Sequence, residues 1–189
     1  WLDVVVIGDA ITGKSKMINN FMDTLKLEAY LSGENSRKTG IVGGIQKLGD
    51  NWSLSWGVIP LNDRRLVIID EASGLSVEDI QELSQMRSEG ILSITKIISE
   101  TTTARTRLLW ITNPRSGKQL NDFYWKGVDA LKEFLPIQED LARFDIVCIA
   151  ALEDVEDIHQ ICNTPLMDEH QLNLWRQLVL FAWNLAPED

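Results

Sequence analysis

Gly8-Asp9-Ala10-Ile11-Thr12-Gly13-Lys14-Ser15, together with its flanks, decides the fold. These residues fit the pattern G-x-x-x-x-G-K-(S/T) without a mismatch, a fit that average residue usage produces by chance on the order of one per cent of the time in such a chain. Before them, Leu2–Ile7 is an apolar run rich in β-branched residues, the pattern of a strand buried on both faces. After them, Met17, Ile18, Phe21, Met22 and Leu25 recur at spacings of three and four, which predicts a helix from Lys14 to about Leu27. A glycine-bearing loop between such a strand and helix lets backbone N–H groups turn inward around phosphates, and the helix adds its positive end. Gly8, Asp9, Ala10, Ile11, Thr12, Gly13, Lys14, Ser15 and Lys16 are therefore the expected nucleotide-binding residues. Lys14 would reach the β- and γ-phosphates of ATP, and the Ser15 hydroxyl would ligate Mg²⁺.

A phosphate loop needs a carboxylate to complete the metal site. Leu66-Val67-Ile68-Ile69-Asp70-Glu71 supplies one: four apolar residues for a buried strand, then two acids at its carboxyl end, where open α/β sheets bind ligands. Asp70 is expected to hold Mg²⁺, and Glu71 to orient and deprotonate the attacking water. A third buried strand, Leu108–Thr112, ends at Asn113-Pro114, and the Asn113 amide is placed to align that water or contact the γ-phosphate. Asp145–Ala150 reads as a fourth buried strand. Apolar strands alternating with helical segments predict a parallel α/β sheet with helices on both faces.

The remaining segments fit this frame. Ala29–Leu31 is a further candidate strand, and Gly49-Asp50-Asn51 looks like a hairpin tip inside the Gly-rich stretch Gly33–Arg65. Ser76 is expected to cap a helix running to about Arg87, with Asp79 in its first turn. Ile91–Thr95 and Lys96–Thr103 alternate like a hairpin pair. Phe123–Phe134 and Glu139–Arg143 read as helices. Met167–Leu185 reads as an amphipathic helix with Leu172, Trp175, Leu178, Val179, Ala182 and Leu185 on one face. Trp110, Trp175 and Trp183 are expected in the core.

Composition narrows the function classes. A chain of 189 residues makes one domain, taken as residues 1–189, and 44% hydrophobic with 24% charged residues excludes a disordered tail or a fibrous repeat. The formal charge of −10 repels phosphate backbones overall, which excludes a non-specific nucleic-acid coat but leaves room for a local basic contact. Acid is concentrated late, at Glu133, Glu139, Asp140, Glu153 and Asp154, and reads as a solvated face. Cys148 lies in an apolar run and reads as a small buried thiol. With no disulfide framework, no signal peptide and no apolar run of membrane-spanning length, a cytoplasmic location without membrane contact is expected. A chain that opens at Trp1 without Met reads as part of something longer.

The order of Gly8–Ser15, Ile68-Ile69-Asp70-Glu71, Asn113-Pro114 and Ala142-Arg143-Phe144-Asp145 resembles AAA+ ATPases, specifically the minichromosome-maintenance (MCM) helicase motor. The loop resembles that family's G-D-P-G-T-A-K-S, with Ala10 for Pro and Gly13 for Ala. Ile91-Leu92-Ser93-Ile94-Thr95-Lys96 resembles its pre-sensor-1 hairpin, Ala104-Arg105-Thr106 the run into the sensor-1 strand, and Leu141-Ala142-Arg143-Phe144-Asp145 its S-R-F finger motif, with Ala142 for Ser. The resemblance implies a P-loop AAA+ three-layer sandwich with a parallel central sheet, a helix-2 insert within Gly40–Arg65 and a pre-sensor-1 β-hairpin. It further implies that Asn113 is sensor 1, that Arg143 is an arginine finger acting on a neighbour's ATP, and that Lys96 contacts DNA. The implied assembly is a homo-hexameric ring that turns ATP into ADP with Mg²⁺ and moves DNA, in a nucleoid or nucleus if it is a replicative helicase. Two other readings fit the same residues: a chelatase-type AAA+ remodeller acting on protein, and an ATP-dependent assembly switch with little turnover.

Overall fold

The computed structural model describes residues 1–26, 28–95, 97, 99–157 and 168–185. In chain order its first half holds β1 (Asp3–Gly8), α1 (Lys14–Leu25), β2 (Glu28–Ser32), α2 (Lys38–Ile41), β3 (Gly43–Leu48), β4 (Asn51–Trp56), α3 (Val58–Leu61) and β5 (Leu66–Asp70). There follow α4 (Val77–Glu82), α5 (Ser84–Glu89), β6 (Ile91–Thr95), β7 (Ser99–Thr103), β8 (Arg107–Thr112), α6 (Gly127–Phe134), α7 (Gln138–Leu141), β9 (Ile146–Ala150) and α8 (Glu169–Asn184).

Five strands form one sheet in the order β2-β5-β8-β1-β9, every pair parallel. Successive side chains alternate between its faces, so each apolar strand feeds two cores. Val5, Ile7, Val67, Ile69, Leu108 and Trp110 pack with Ile80, Leu83, Met86, Ala130 and Phe134 from α4, α5, α6 and the turn between α4 and α5. Val6, Leu66, Ile68, Leu109 and Ile111 pack on the other side with Ile18 and Met22 of α1 and Trp183 of α8. This is the expected three-layer α/β sandwich. The registers Ile7↔Thr112, Ile69↔Trp110 and Ser32↔Asp70 bring the carboxyl ends of β1, β8, β5 and β2 together along one edge.

Both expected hairpins form. β3 and β4 pair from Gly43↔Trp56 to Leu48↔Asn51, so the tip is Gly49-Asp50, with Gly49 at φ +62°. β6 and β7 pair from Ile91↔Thr103 to Thr95↔Ser99. The Gly40–Arg65 stretch is thus a β-hairpin between two one-turn helices, α2 and α3.

Several expectations need correction. β9 is an edge strand, paired only with β1 among the described residues, and Ile146, Val147, Ile149 and Cys148 are exposed. Ser76 does cap α4, accepting from Asp79 N at 3.1 Å, but the helix tightens to an i−3 bond at Leu83 and restarts as α5. The segment from Phe123 becomes α-helical only at Gly127. Trp175 and Leu178 of α8 and Leu185 just after it face outward, as do Met17 and Phe21 of α1. α8 instead meets α1 through Arg176, which donates to the carbonyls of Thr24 and Asp23, and meets β8 through Trp183, whose ring lies 4.5 Å from the Arg107 guanidinium. Asp140 does not belong to a solvated face: it is 3% exposed. No described helix is long and apolar enough to cross a membrane, and no cluster of metal-ligating residues of the His/Cys/Asp/Glu type occurs among the described residues.

Candidate active site

The loop after β1 is shaped by two glycines. A Cβ on Gly8 would come within 2.4 Å of the Ala150 carbonyl oxygen, so only glycine lets the loop leave β1 so close to β9. Gly13 sits at φ +83°, ψ 9° as the N-cap of α1, a left-handed conformation that costs other residues energy. No side chain caps α1, so its first N–H groups are directed at the loop. The Lys14 ammonium lies across the same concavity, donating to Gly8 O at 3.0 Å, to Asp9 O, and to Thr12 Oγ1 at 3.2 Å. Burial pushes its pKa below the usual lysine value, against the pull of the Asp9 and Asp70 carboxylates.

A cavity of about 400 Å³ opens here, within the range of small-molecule sites. Ala10, Ile11, Gly13, Lys14, Ser15 and Lys16 line one side, and Asp70, Glu71, Ile111, Thr112 and Asn113 the other. Gly8, Asp9 and Thr12 lie outside that lining. Asp9 in particular turns away: its carboxylate is 4% exposed and accepts from Leu120 N at 2.7 Å and Leu152 N at 2.9 Å.

The acidic pair is held from β2. Asp70 Oδ1 accepts from Glu71 N at 2.8 Å and Asp70 Oδ2 from the Tyr30 hydroxyl at 3.1 Å, while Glu71 Oε2 accepts from Ser32 Oγ at 2.9 Å. Burial, with the Asp70 and Glu71 charges, raises the Tyr30 pKa and keeps that hydroxyl protonated as a donor. Glu71 stands at φ +52°, ψ 41°, a strained conformation for a non-glycine residue that breaks strand geometry and separates its side chain from the path of β5. Arg115 fastens the far side, donating to Ser73 O, Leu75 O and Phe134 O at 2.7–2.9 Å, which ties the segment after Glu71 to the segment after Asn113. The oxygen ligands offered by Ser15 and Asp70 are hard donors of the type Mg²⁺ takes.

Arg143 is elsewhere. The register Val4↔Ile146 and Gly8↔Ala150 places the start of β9 at the amino end of the strands, so about 13 Å of β1 separates that end from the loop. Lys96 lies outside the described residues; it falls in sequence between β6 and β7.

The sequence matches the MCM P-loop domain family over residues 2–164. The chain belongs to the MCM P-loop domain family. It is 26% identical to the DNA replication licensing factor MCM2 of Arabidopsis thaliana over 175 residues, covering 89% of this chain and 17% of the relative. It is 23% identical to the zygotic DNA replication licensing factor mcm6 of Xenopus tropicalis over 202 residues, covering 99% and 24%, and 25% identical to the licensing factor mcm6 of Schizosaccharomyces pombe over 175 residues, covering 90% and 19%. The chain thus spans about a fifth of the length of the curated relatives it matches.

Within this MCM P-loop domain the loop carries an uncommon strain. Ile11, where the family motif has Gly, stands at φ +68° and is 90% exposed at the rim of the cavity. Sequence reasoning did not anticipate Tyr30 or Ser32. The available signal was that β2 ends at Ser32-Gly33 as β5 ends at Asp70-Glu71, but only the parallel register shows that the two ends are neighbours.

Proposed function

We propose that residues 1–189 form an ATP-binding and ATP-hydrolysing motor core of an MCM-like DNA helicase, working as one subunit of a homo-hexameric ring. The observation that carries this reading is the split between the two ends of the sheet. Lys14, Ser15, Asp70, Glu71 and Asn113 converge at the carboxyl end, whereas Arg143 starts from the amino end, too distant to serve the loop of its own subunit. A finger so placed belongs to a neighbour's site. The similar proteins are DNA replication licensing factors, which supports DNA as the substrate and chromosomal DNA as the place of work.

In this mechanism the Lys14 ammonium and the N–H groups of the loop and α1 bind the β- and γ-phosphates. Ser15 and Asp70 would hold Mg²⁺, which when bound screens the phosphate charge. Glu71 accepts the proton of the attacking water, and Ser32 keeps its carboxylate aimed. Asn113 holds that water in line. Arg143 from the adjacent subunit neutralises charge developing on the γ-phosphate, an effect worth up to ~10³–10⁵ in rate in related enzymes. The two hairpins would carry the movement to DNA, with Lys96 as a phosphate contact.

The test is complementation. Arg143→Ala and Lys14→Ala are each expected to be inactive alone. Mixed in one ring, they create interfaces with an intact loop and an intact finger, so ATP hydrolysis should partly return and be stimulated by DNA. Parent-level turnover by Arg143→Ala defeats the trans-acting finger, and turnover that DNA never stimulates favours a motor acting on protein.

A further inference from the structure

Arg143 lies beside a buried acid of its own subunit. Its Nε lies 3.8 Å from Asp140 Oδ1, is sealed from solvent and makes no hydrogen bond among the described residues. The side chain as a whole is 29% exposed, so it is not wholly enclosed although its Nε is. Asp140 is held in turn by α5. Ser84 Oγ donates to Asp140 Oδ1 at 2.6 Å, and Arg87 Nη2 donates to the Asp140 carbonyl at 3.1 Å.

Arg87 is the anchor of this cluster. It is 6% exposed, its Nε donates to Asp3 Oδ2, and its guanidinium stands 4.5 Å from the ring centre of Phe144, the residue after Arg143. Trp110 Nε1 occupies the other oxygen of Asp3 at 2.5 Å. The cluster therefore links β1, β8, α5 and α7 beneath Arg143. A buried carboxylate with one hydroxyl donor needs a cation close by; Arg143 Nε stands 3.8 Å from it, and the Arg87 guanidinium is bonded to the carbonyl of the same residue.

We propose that Asp140, clamped by Ser84 and Arg87, is the positioning residue for Arg143. The inference rests on the reading of Arg143 as a trans-acting finger. A long side chain ordered in advance loses less freedom when it meets a phosphate, and a displacement of the order of 1 Å at a reacting group costs up to about a hundredfold in rate. α5 also belongs to the stretch that runs on from Asp70-Glu71 through α4, so each subunit's acidic pair and the Ser84–Arg87 clamp beneath Arg143 lie on one segment.

Asp140→Asn tests this, because it keeps the shape of the side chain, the Ser84 bond and the carbonyl that Arg87 uses, and removes only the charge facing Arg143. The first readout needs no ring: the Arg143 Nε–Hε resonance of the 189-residue chain, assigned by its loss in Arg143→Lys. It should be shifted and protected from solvent exchange in the parent, and should collapse to the free-guanidinium position in Asp140→Asn. The second is ATP turnover by the assembled protein, where kcat should fall ten- to a hundredfold with KM for ATP within twofold, and should recover when Asp140→Asn is mixed with Lys14→Ala. An unchanged resonance and parent kcat in Asp140→Asn overturn the positioning role, while an inactive Arg143→Ala leaves the finger reading standing. A fully active Arg143→Ala removes the finger itself. A kcat loss that mixing does not restore places the defect in the variant's own loop and also overturns the inference. If Asp140→Asn folds poorly, Ser84→Ala takes its place; a roughly threefold fall in kcat is expected, and parent kcat with an unmoved resonance counts against the clamp.

Discussion

Asp9 belongs to the phosphate-loop motif, yet its side chain works on the opposite side of the backbone, and replacing it should destabilise rather than disarm the domain. Its carboxylate accepts from the Leu120 N–H at 2.7 Å in a buried setting and from the Leu152 N–H at 2.9 Å in a half-buried one. Asp9→Ala strands both donors. The buried one loses a charge-assisted bond without access to water, about 2–3 kcal/mol, and the half-buried one, which water can partly satisfy, about 1 kcal/mol. The expected loss is roughly 3–4 kcal/mol, a large share of the 5–15 kcal/mol that holds a typical domain folded. Asp9→Asn retains one acceptor oxygen but turns an NH₂ group toward a donor, so about 1–2 kcal/mol should be lost. Urea unfolding followed by tryptophan fluorescence measures both, and an unchanged m-value keeps the comparison at the level of stability. Nucleotide affinity per folded molecule should fall less than stability does, because the Asp9 carboxylate faces away from the cavity. Asp9→Ala within 1 kcal/mol of the parent, with ATP binding abolished, would refute this account and return the side chain to the ligand.

The acidic pair should divide its labour: Glu71→Gln retains nucleotide binding and loses about 10²–10⁴ in turnover, whereas Asp70→Asn weakens Mg²⁺-dependent binding itself. Equal loss of binding in both variants would contradict the separate roles. Lys96→Ala should lower DNA-stimulated hydrolysis with little change in basal hydrolysis and reduce the salt slope of DNA binding by about one per subunit contact; an unchanged slope makes Lys96 a bystander. Asp3 supplies a pH signature. Burial pushes its carboxyl up to about 6 from the usual 3.8, against the pull of Arg87 and Trp110. Its folded form therefore holds a proton that the unfolded chain has released, and stability falls as pH rises between those two values. Acidifying from pH 7 to 4.5 should stabilise the parent relative to Asp3→Asn by about 2 kcal/mol, with the Asp3 carboxyl carbon titrating near 6. A midpoint at or below 4 would count against it.

What was legible in the sequence is what local pattern and chemistry decide. The loop spelling, the apolar strands that end in Asp70-Glu71 and Asn113, and the Ser76 cap all depend on residues close to one another in the chain. What was not legible depends on distant partners. Asp140 reads as one more acid in an acidic stretch, and its four-residue helix is too short to display a period; its burial comes from Ser84 and Arg87, more than fifty residues earlier. The apolar run of β9 matches that of a central strand, because strand order follows from crossovers rather than composition. α8 has apolar residues on more than one side, so period alone gives several stripes; the contacts of Arg176 and Trp183 choose among them.

Asp3 and Asp9, the carboxylates at the two ends of β1, share a physical logic that bears on how the site holds its shape. β1 carries an acid at its start and another one residue past its end. Asp3 receives Arg87 from α5 and Trp110 from β8, and its own N–H donates to Asp145 Oδ2 at 2.7 Å at the start of β9. Asp9 receives N–H groups from the segments that follow β8 and β9. Each end of the strand is thereby tied to the neighbours on both of its sides, in addition to the ladder bonds along its length. A strand fixed in this way cannot accommodate a ligand by sliding. The adjustment falls on Ala10–Gly13, where Ile11 is exposed and held at positive φ, a segment with few ties and strain to release. Because Asp3 and Arg87 also underlie Arg143, the strand that bears the Gly8–Ser15 loop at one end supports the Arg143 cluster, the proposed finger, at the other. Separating the two, by loosening Asp3 without touching the loop, should therefore affect the finger before it affects nucleotide binding.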